Sequence, residues 1–161
     1  MAVAEIIGTA IGTMLIIIVA YLLVGNVLNT AEVVSNAQKD MTLISESRLH
    51  TDLSITNVTV SGSVINLTVT NTGTEIISDF PHTDILVYTG SVSGYSEYLY
   101  NATVTTLPYS WSGSIINAYV HPGELGPGES MYVNAYCLGS APVTFEVVIC
   151  TNNGVYASTI V

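Results

Sequence analysis

At 161 residues the chain has room for one globular domain and one long helix. Lys39 and Arg48 are its only fixed cations against twelve carboxylates, and the formal charge is −10. Nucleic-acid binding needs Lys and Arg gathered on a face, as does docking on anionic lipid, so both are excluded. Only 9% of residues are charged, and Ser, Thr, Asn and Gly supply most of the polarity. That surface suits an exported structural protein better than a cytosolic one.

The first fifty residues organise the rest. No charged side chain lies between Glu5 and Glu32, and residues 6–28 are almost wholly apolar. A bilayer-spanning helix needs about 20 residues. A helix apolar on every face must lie in lipid or among other helices. Glu5 is a carboxylate at the edge of this run, where the helix dipole favours negative charge. Its nearest candidate cation is the amino group of Met1, on the same chain or a neighbouring one; otherwise it snorkels to the interface. Gly8-Thr9-Ala10-Ile11-Gly12 is a GxxxG that permits close helix approach, although such patterns also arise by chance.

From residue 30 to 48 the pattern turns amphipathic. Val33, Val34, Ala37, Met41 and Ile44 recur at three- and four-residue intervals, with Glu32, Lys39, Asp40 and Glu46 elsewhere. This half is expected to lay its apolar stripe on the following domain. The helix is predicted to reach about residue 50, roughly 70 Å at 1.5 Å per residue. Gly25-Asn26 offers a place to bend, and no glycine caps the end. The chain thus divides into 1–50, an assembly or transmembrane helix, and 51–161, an outer β domain.

Beyond residue 51 the period becomes two. Segments 53–60 and 63–71 alternate and are rich in Val, Ile and Thr, with Ser61-Gly62 as a two-residue hairpin turn. Further strands are predicted at 84–88, 95–105 (one strand or two fragments), 114–120, 131–138, 142–150 and 155–161. Seven or eight short strands at this spacing read as an Ig-like β-sandwich, and the whole chain as α+β.

Chemistry is sparse. His50, His82 and His121 lie far apart, and no G-x-S-x-G, phosphate loop or short His/Cys spacing occurs. Asp79 and Asp84 flank a Pro-containing turn as possible calcium oxygens; no metal, cofactor or catalytic residue is assigned. Cys137 and Cys150 are an even number suited to a disulfide. If 131–138 and 142–150 pair as a hairpin, however, they stand roughly 20 Å apart on opposite faces. Asn57, Asn66 and Asn101 open N-x-[ST] sequons, with Asn57 and Asn66 expected to face outward as glycan acceptors. Tyr95, Tyr98, Tyr100, Tyr109, Trp111 and Tyr119 exceed what a small core needs, and read either as contact surface or as a tyrosine-rich strand face.

Met1, Glu5 and the apolar helix resemble the mature N-terminus of the type IV pilin superfamily, with its archaellins, archaeal adhesive pilins and archaellum accessory proteins. Leu67-Thr68-Val69-Thr70-Asn71-Thr72-Gly73 and Pro127-Gly128-Glu129 are similar to archaellin and archaellum F- or G-type domains. Family precursors carry a short basic leader. No Lys or Arg precedes the helix here, so the chain reads as the processed form or as an uncleaved anchor. The resemblance implies a subunit that is inserted in the membrane, meets a leader peptidase and assembly machinery, and then polymerises with itself into an extracellular archaellum or pilus for motility or adhesion. Met1 and Glu5 would serve neutralisation, Gly8 and Gly12 close packing, and Ile6, Ile7, Ile11, Leu15, Ile18 and Leu22 the filament core. The alternative is a membrane-anchored archaellum accessory or stator protein whose β domain binds the cell envelope.

Overall fold

The computed structural model describes residues 2–89, 94–103, 107–116 and 121–161. Helix α1 runs from Ala2 to His50 in one unbroken piece, so Gly25-Asn26 makes no interruption. It divides between two compact units, residues 1–43 and 44–161. Within the first unit, Val33 (67% exposed), Val34, Ala37 and Met41 all face outward from the helix.

The second unit holds eight strands: β1 Leu53–Ser61, β2 Val64–Asn71, β3 Asp84–Tyr88, β4 Tyr95–Tyr100, β5 Ser110–Ile116, β6 Ser130–Tyr136, β7 Glu146–Cys150 and β8 Tyr156–Ile160. Their order is β1-β2-β6-β5-β4-β3-β7-β8. Two antiparallel halves, β1-β2-β6-β5 and β4-β3-β7-β8, are stitched by a parallel contact of only two residue pairs, Leu99 with Ser110 and Tyr100 with Trp111. The sheet rolls until its edges β1 and β8 come near each other. This is the expected α+β architecture, with a sandwich-like, nearly closed sheet.

The inward positions of both halves make one core. Ile65, Leu67 and Val69 of β2, Val133 and Ala135 of β6, Ile85 and Val87 of β3, and Val147 and Ile149 of β7 are all buried. Part of the aromatic set belongs here and not to a contact surface. Trp111 is fully enclosed and packs against Tyr100 in a tilted contact (centroids 4.8 Å apart, planes at 60°), and Tyr98 is buried. Tyr119 lies outside the described residues, with 117–120.

Several boundaries differ from expectation for identifiable reasons. The first hairpin turns at Gly62-Ser63, one residue late, because Gly62 (φ +63°) supplies the positive φ that the first central position demands. Strand β5 begins four residues before the predicted 114. Its Ser110, Ser112 and Gly113 read as loop, yet both serines are buried. A side chain at Gly113 would take the space that Met131 Sδ fills, so glycine makes room for the Met131 side chain beside Trp111. Segments 131–138 and 142–150 do not form a hairpin. Strand β6 pairs with β2 and β5, and β7 with β3 and β8. Three strands therefore separate Cys137 from Cys150 in the sheet order, and both are free thiols.

Asn71 closes the base of the domain. It is fully buried. Its Nδ2 donates to the carbonyls of Glu75 (2.7 Å) and Leu125 (3.0 Å), and its Oδ1 accepts from the Gly73 amide (3.0 Å). Its backbone donates to Glu129 O (3.0 Å) and accepts from Gly128 (2.8 Å). The segments around Asn71 and Pro127-Gly128-Glu129 thus meet at this one residue. Each buried polar partner left unmatched costs about 1–3 kcal/mol. Asn71→Ala is expected to cost about 3 kcal/mol in denaturant unfolding. Asn71→Asp, which sets a carboxylate against two carbonyls, is expected to cost more; a wild-type midpoint for either would contradict this reading.

Candidate functional site

Three regions carry the functional geometry: the apolar helix, its C-terminal joint to the sheet, and the far end of the sheet. Along the helix, Ile6, Ile7, Ile11, Leu15, Ile18 and Leu22 are all exposed, as is Glu5. A Cβ at Gly8 or Gly12 would meet open space. Met1 lies outside the described residues. The two threonines in the apolar stretch are satisfied internally: Thr9 Oγ1 donates to Ile6 O (3.0 Å), and Thr13 Oγ1 reaches Thr9 O (3.0 Å) and Ala10 O (2.9 Å). Threonine hydroxyls turned back to the helix backbone need no water and suit hydrocarbon. The span is long and apolar enough to cross a membrane, with 6–28 measuring about 35 Å at 1.5 Å per residue.

The joint lies within the second unit. A helix leaves its last carbonyls unpaired, and α1 solves this without a local glycine. The turn after β2 supplies the cap: Thr74 and Glu75 donate their amides to His50 O at 2.8 and 3.0 Å. Thr72 and Gly73 donate to Asp52 O at 3.0 and 3.1 Å. A methyl at Gly73 would collide with the backbone of residues 50–52, so only glycine allows this approach. From the other side, the β7–β8 turn grips the last helical turn. Arg48 Nε donates to Asn153 O (2.6 Å), while Asn153 Nδ2 donates to Thr51 Oγ1 (2.7 Å) and Ser47 Oγ (3.2 Å). Arg48 and His50 also set positive or protonatable groups at the helix C-terminus, where the dipole favours them.

Beside the joint, a polar cleft of about 210 Å³ is lined by residues including Glu75, Asp79, Thr151 and Asn152. Asp79 has already committed its carboxylate: Oδ1 lies 2.8 Å from His82 Nδ1 and Oδ2 accepts from Asn152 (3.1 Å). The His82 hydrogen bond, with help from Asn152, holds its pKa below the ordinary carboxylate value. Asp84 begins β3 on the exposed face. No group of three or more His, Cys, Asp or Glu side chains converges on a metal position among the described residues.

At the opposite end of the sheet, the Gly62-Ser63 hairpin, residues 107–109 and the crossover 137–145 come together. Cys137 and Ala141 donate to Ser63 O and Gly62 O, and Tyr109 donates to Tyr136 O, at 2.8, 2.9 and 2.8 Å. None of these segments contains a charged residue. Leu107, Tyr109, Leu138 and Val143 are exposed there, Val143 at 93%. Below them Tyr98 donates its hydroxyl to Cys137 Sγ (3.2 Å), and burial together with this bond pushes the phenol well above its usual pKa. On a chain of charge −10, an uncharged end with exposed apolar side chains has the character of a contact surface.

The sequons are scattered. Asn57 is exposed at a bulge in β1, with φ +51°. Asn66 is half-buried in β2, beside β1 and β6. Asn101 is half-buried after β4, and its Oδ1 accepts from Thr103 (3.1 Å).

No family model matches the sequence. An uncharacterized protein of Archaeoglobus fulgidus is 28% identical over 156 residues, covering 93% of this chain and 89% of that one. Two solved structures share the fold. The archaellum periplasmic stator protein FlaG from Sulfolobus acidocaldarius superposes with a TM-score of 0.54 at 20% identity, covering 69% of this chain and 99% of that one. The complex of FlaF and FlaG from the same organism gives a TM-score of 0.54 at 18% identity, over 68% of this chain and 87% of that one. The chain therefore has the fold of archaellum stator proteins.

The joint generates a prediction. Gly73→Ala forces the turn off the helix end and is expected to cost about 1–3 kcal/mol, the usual price of overpacking. Asn153→Ala, which removes the four side-chain hydrogen bonds to Ser47, Thr51, Thr151 and Val155 while leaving the Arg48 contact to its carbonyl, is expected to cost about 2–4 kcal/mol. Thermal unfolding of the full chain in detergent checks both; unchanged melting in the two variants would show that the joint carries no load.

Proposed function

We propose that this chain is a membrane-anchored archaellum accessory protein of the stator type. Helix α1 holds it in the bilayer, and the β domain engages a protein partner in the cell envelope. The observation that carries this reading is the fold likeness to FlaG over that protein's whole length, with a further apolar helix in this chain long enough to span a membrane. The solved assembly of FlaF with FlaG supports a different protein as partner, and not endless self-association. The uncharged end of the sheet, with Leu138 and Val143, is the surface offered to that partner. The role is mechanical, without catalysis.

The self-polymerising extracellular filament expected from the N-terminal resemblance has weaker support. FlaG and the FlaF–FlaG complex are described as stator proteins, not as filament subunits, and neither description speaks of adhesion or glycosylation. The coarser expectation, an archaellum-associated protein with a β-rich domain, fits both readings.

Electron microscopy and sedimentation of the full-length protein separate them. The stator reading expects the protein to pellet with membranes, resist carbonate extraction and yield discrete particles in mild detergent. Regular fibres built from this one chain would overturn it.

A further inference from the structure

We propose that residues 27–44 of α1 form a parallel, in-register two-stranded coiled coil with a second copy of this chain. The inference rests on the membrane-anchoring reading for the direction of the helices. Val27, Thr30, Val34, Ala37, Met41 and Ile44 follow one another at intervals of three and four residues without a break. That is a 3.5-residue repeat, and a helix of 3.6 residues per turn keeps such a stripe in contact only by supercoiling around another helix. The charged residues Glu32, Lys39 and Glu46 recur at seven-residue intervals on the side opposite the stripe, where they stay in water after pairing. Within the first unit, Val27 (66%), Val34 and Met41 (70%) are exposed on one side of the helix.

A second copy fits this seam better than an unrelated helix. Copies anchored in one bilayer by the same N-terminal segment leave it in the same direction, so the natural arrangement is parallel and in register. Each seam residue then meets its own counterpart: Val34 meets Val34 and Met41 meets Met41, with Thr30 and Ala37 small enough to let the backbones close. Small residues at the second seam position, Thr30 and Ala37, bring two backbones together without leaving the wide core of a larger bundle to fill. The flanking positions that face one another across a parallel pair are Asn26 with Ala31, Val33 with Gln38, and Asp40 with Ser45. None sets like charges together. For a chain of charge −10, this uncharged strip is a place where two copies can meet without repulsion. Pairing here leaves the far end of the β domain free for the envelope partner, so each dimer presents two such surfaces.

The test is site-directed cross-linking of the full chain in native membranes. Cys137 and Cys150 are replaced by serine, single cysteines are placed at Val34, Met41 or Lys39, and disulfides are driven with copper-phenanthroline. The expected result is a cross-linked species of twice the chain mass from Val34→Cys and Met41→Cys, at least tenfold more abundant than from Lys39→Cys. In the otherwise native chain, Met41→Asp is expected to convert the dimer to monomer in detergent sedimentation, and Lys39→Asp to leave it intact. Equal cross-linking at Met41 and Lys39, or an adduct of any other mass, would overturn the proposal. So would stronger linkage between unlike positions, such as Val27→Cys with Ile44→Cys, which is the pattern of staggered helices in a filament. Carbonate extraction of the same membranes judges the anchor separately: a chain that washes off yet still links at Val34 and Met41 keeps the coiled coil and loses the bilayer.

Discussion

A helix that is apolar on every side has no stable resting place in water, and that constraint governs the molecule. Burying one Ile or Leu side chain is worth about 1.5–3 kcal/mol, and residues 6–28 of α1 offer many such side chains, all exposed in the lone chain. No surface of the β domain needs to supply that burial, because the β domain completes its own core from inward residues of both halves of its sheet. Lipid satisfies the helix without further protein contacts, since Thr9 and Thr13 have already turned their hydroxyls back to the helix backbone. The anchor and the sheet are therefore two separate solutions to the same problem of apolar surface.

The two solutions meet in a small amount of backbone. The last helical carbonyl is capped by amides from the turn after β2, and Asn153 holds the last turn from the side. Asn71 then ties that same turn to the loops at 125 and 128–129. A load applied to the final turn of α1 reaches the middle of the sheet through hydrogen bonds, not through a flexible linker. That is the property expected of a protein proposed to steady a moving assembly against the envelope.

Local patterns were readable in proportion to how locally they are determined. The strand Asp84–Tyr88 coincides with its alternating segment because every second side chain enters the core. The helix end near residue 50 was visible, but its cap was not, since the capping amides lie more than twenty residues further on. Strand β5 was misplaced because Ser110-Trp111-Ser112-Gly113 resembles a loop until Met131 is seen to occupy the space a side chain at Gly113 would need. The separation of Cys137 from Cys150 agrees with expectation, but its cause is strand order, with β5, β4 and β3 between them, and not the two ends of one hairpin. On function, the apolar helix pointed to a filament subunit and to an anchored accessory protein alike. The likeness to the stator proteins lies in the fold, at 20% identity or less, and no short motif in the sequence carries it.

The account stands on residues 6–28 of α1 lying in lipid and not within a protein bundle. Spin labels placed singly along α1 in the full chain, reconstituted in vesicles, test this through their collisions with oxygen and with a water-soluble nickel chelate. For labels at Ile11, Leu15, Ile18 and Leu22 the account predicts high oxygen and low nickel accessibility, with nickel rising beyond Leu28. Labels at those four positions shielded from both reagents would mean that protein, not lipid, surrounds the helix, and would contradict it.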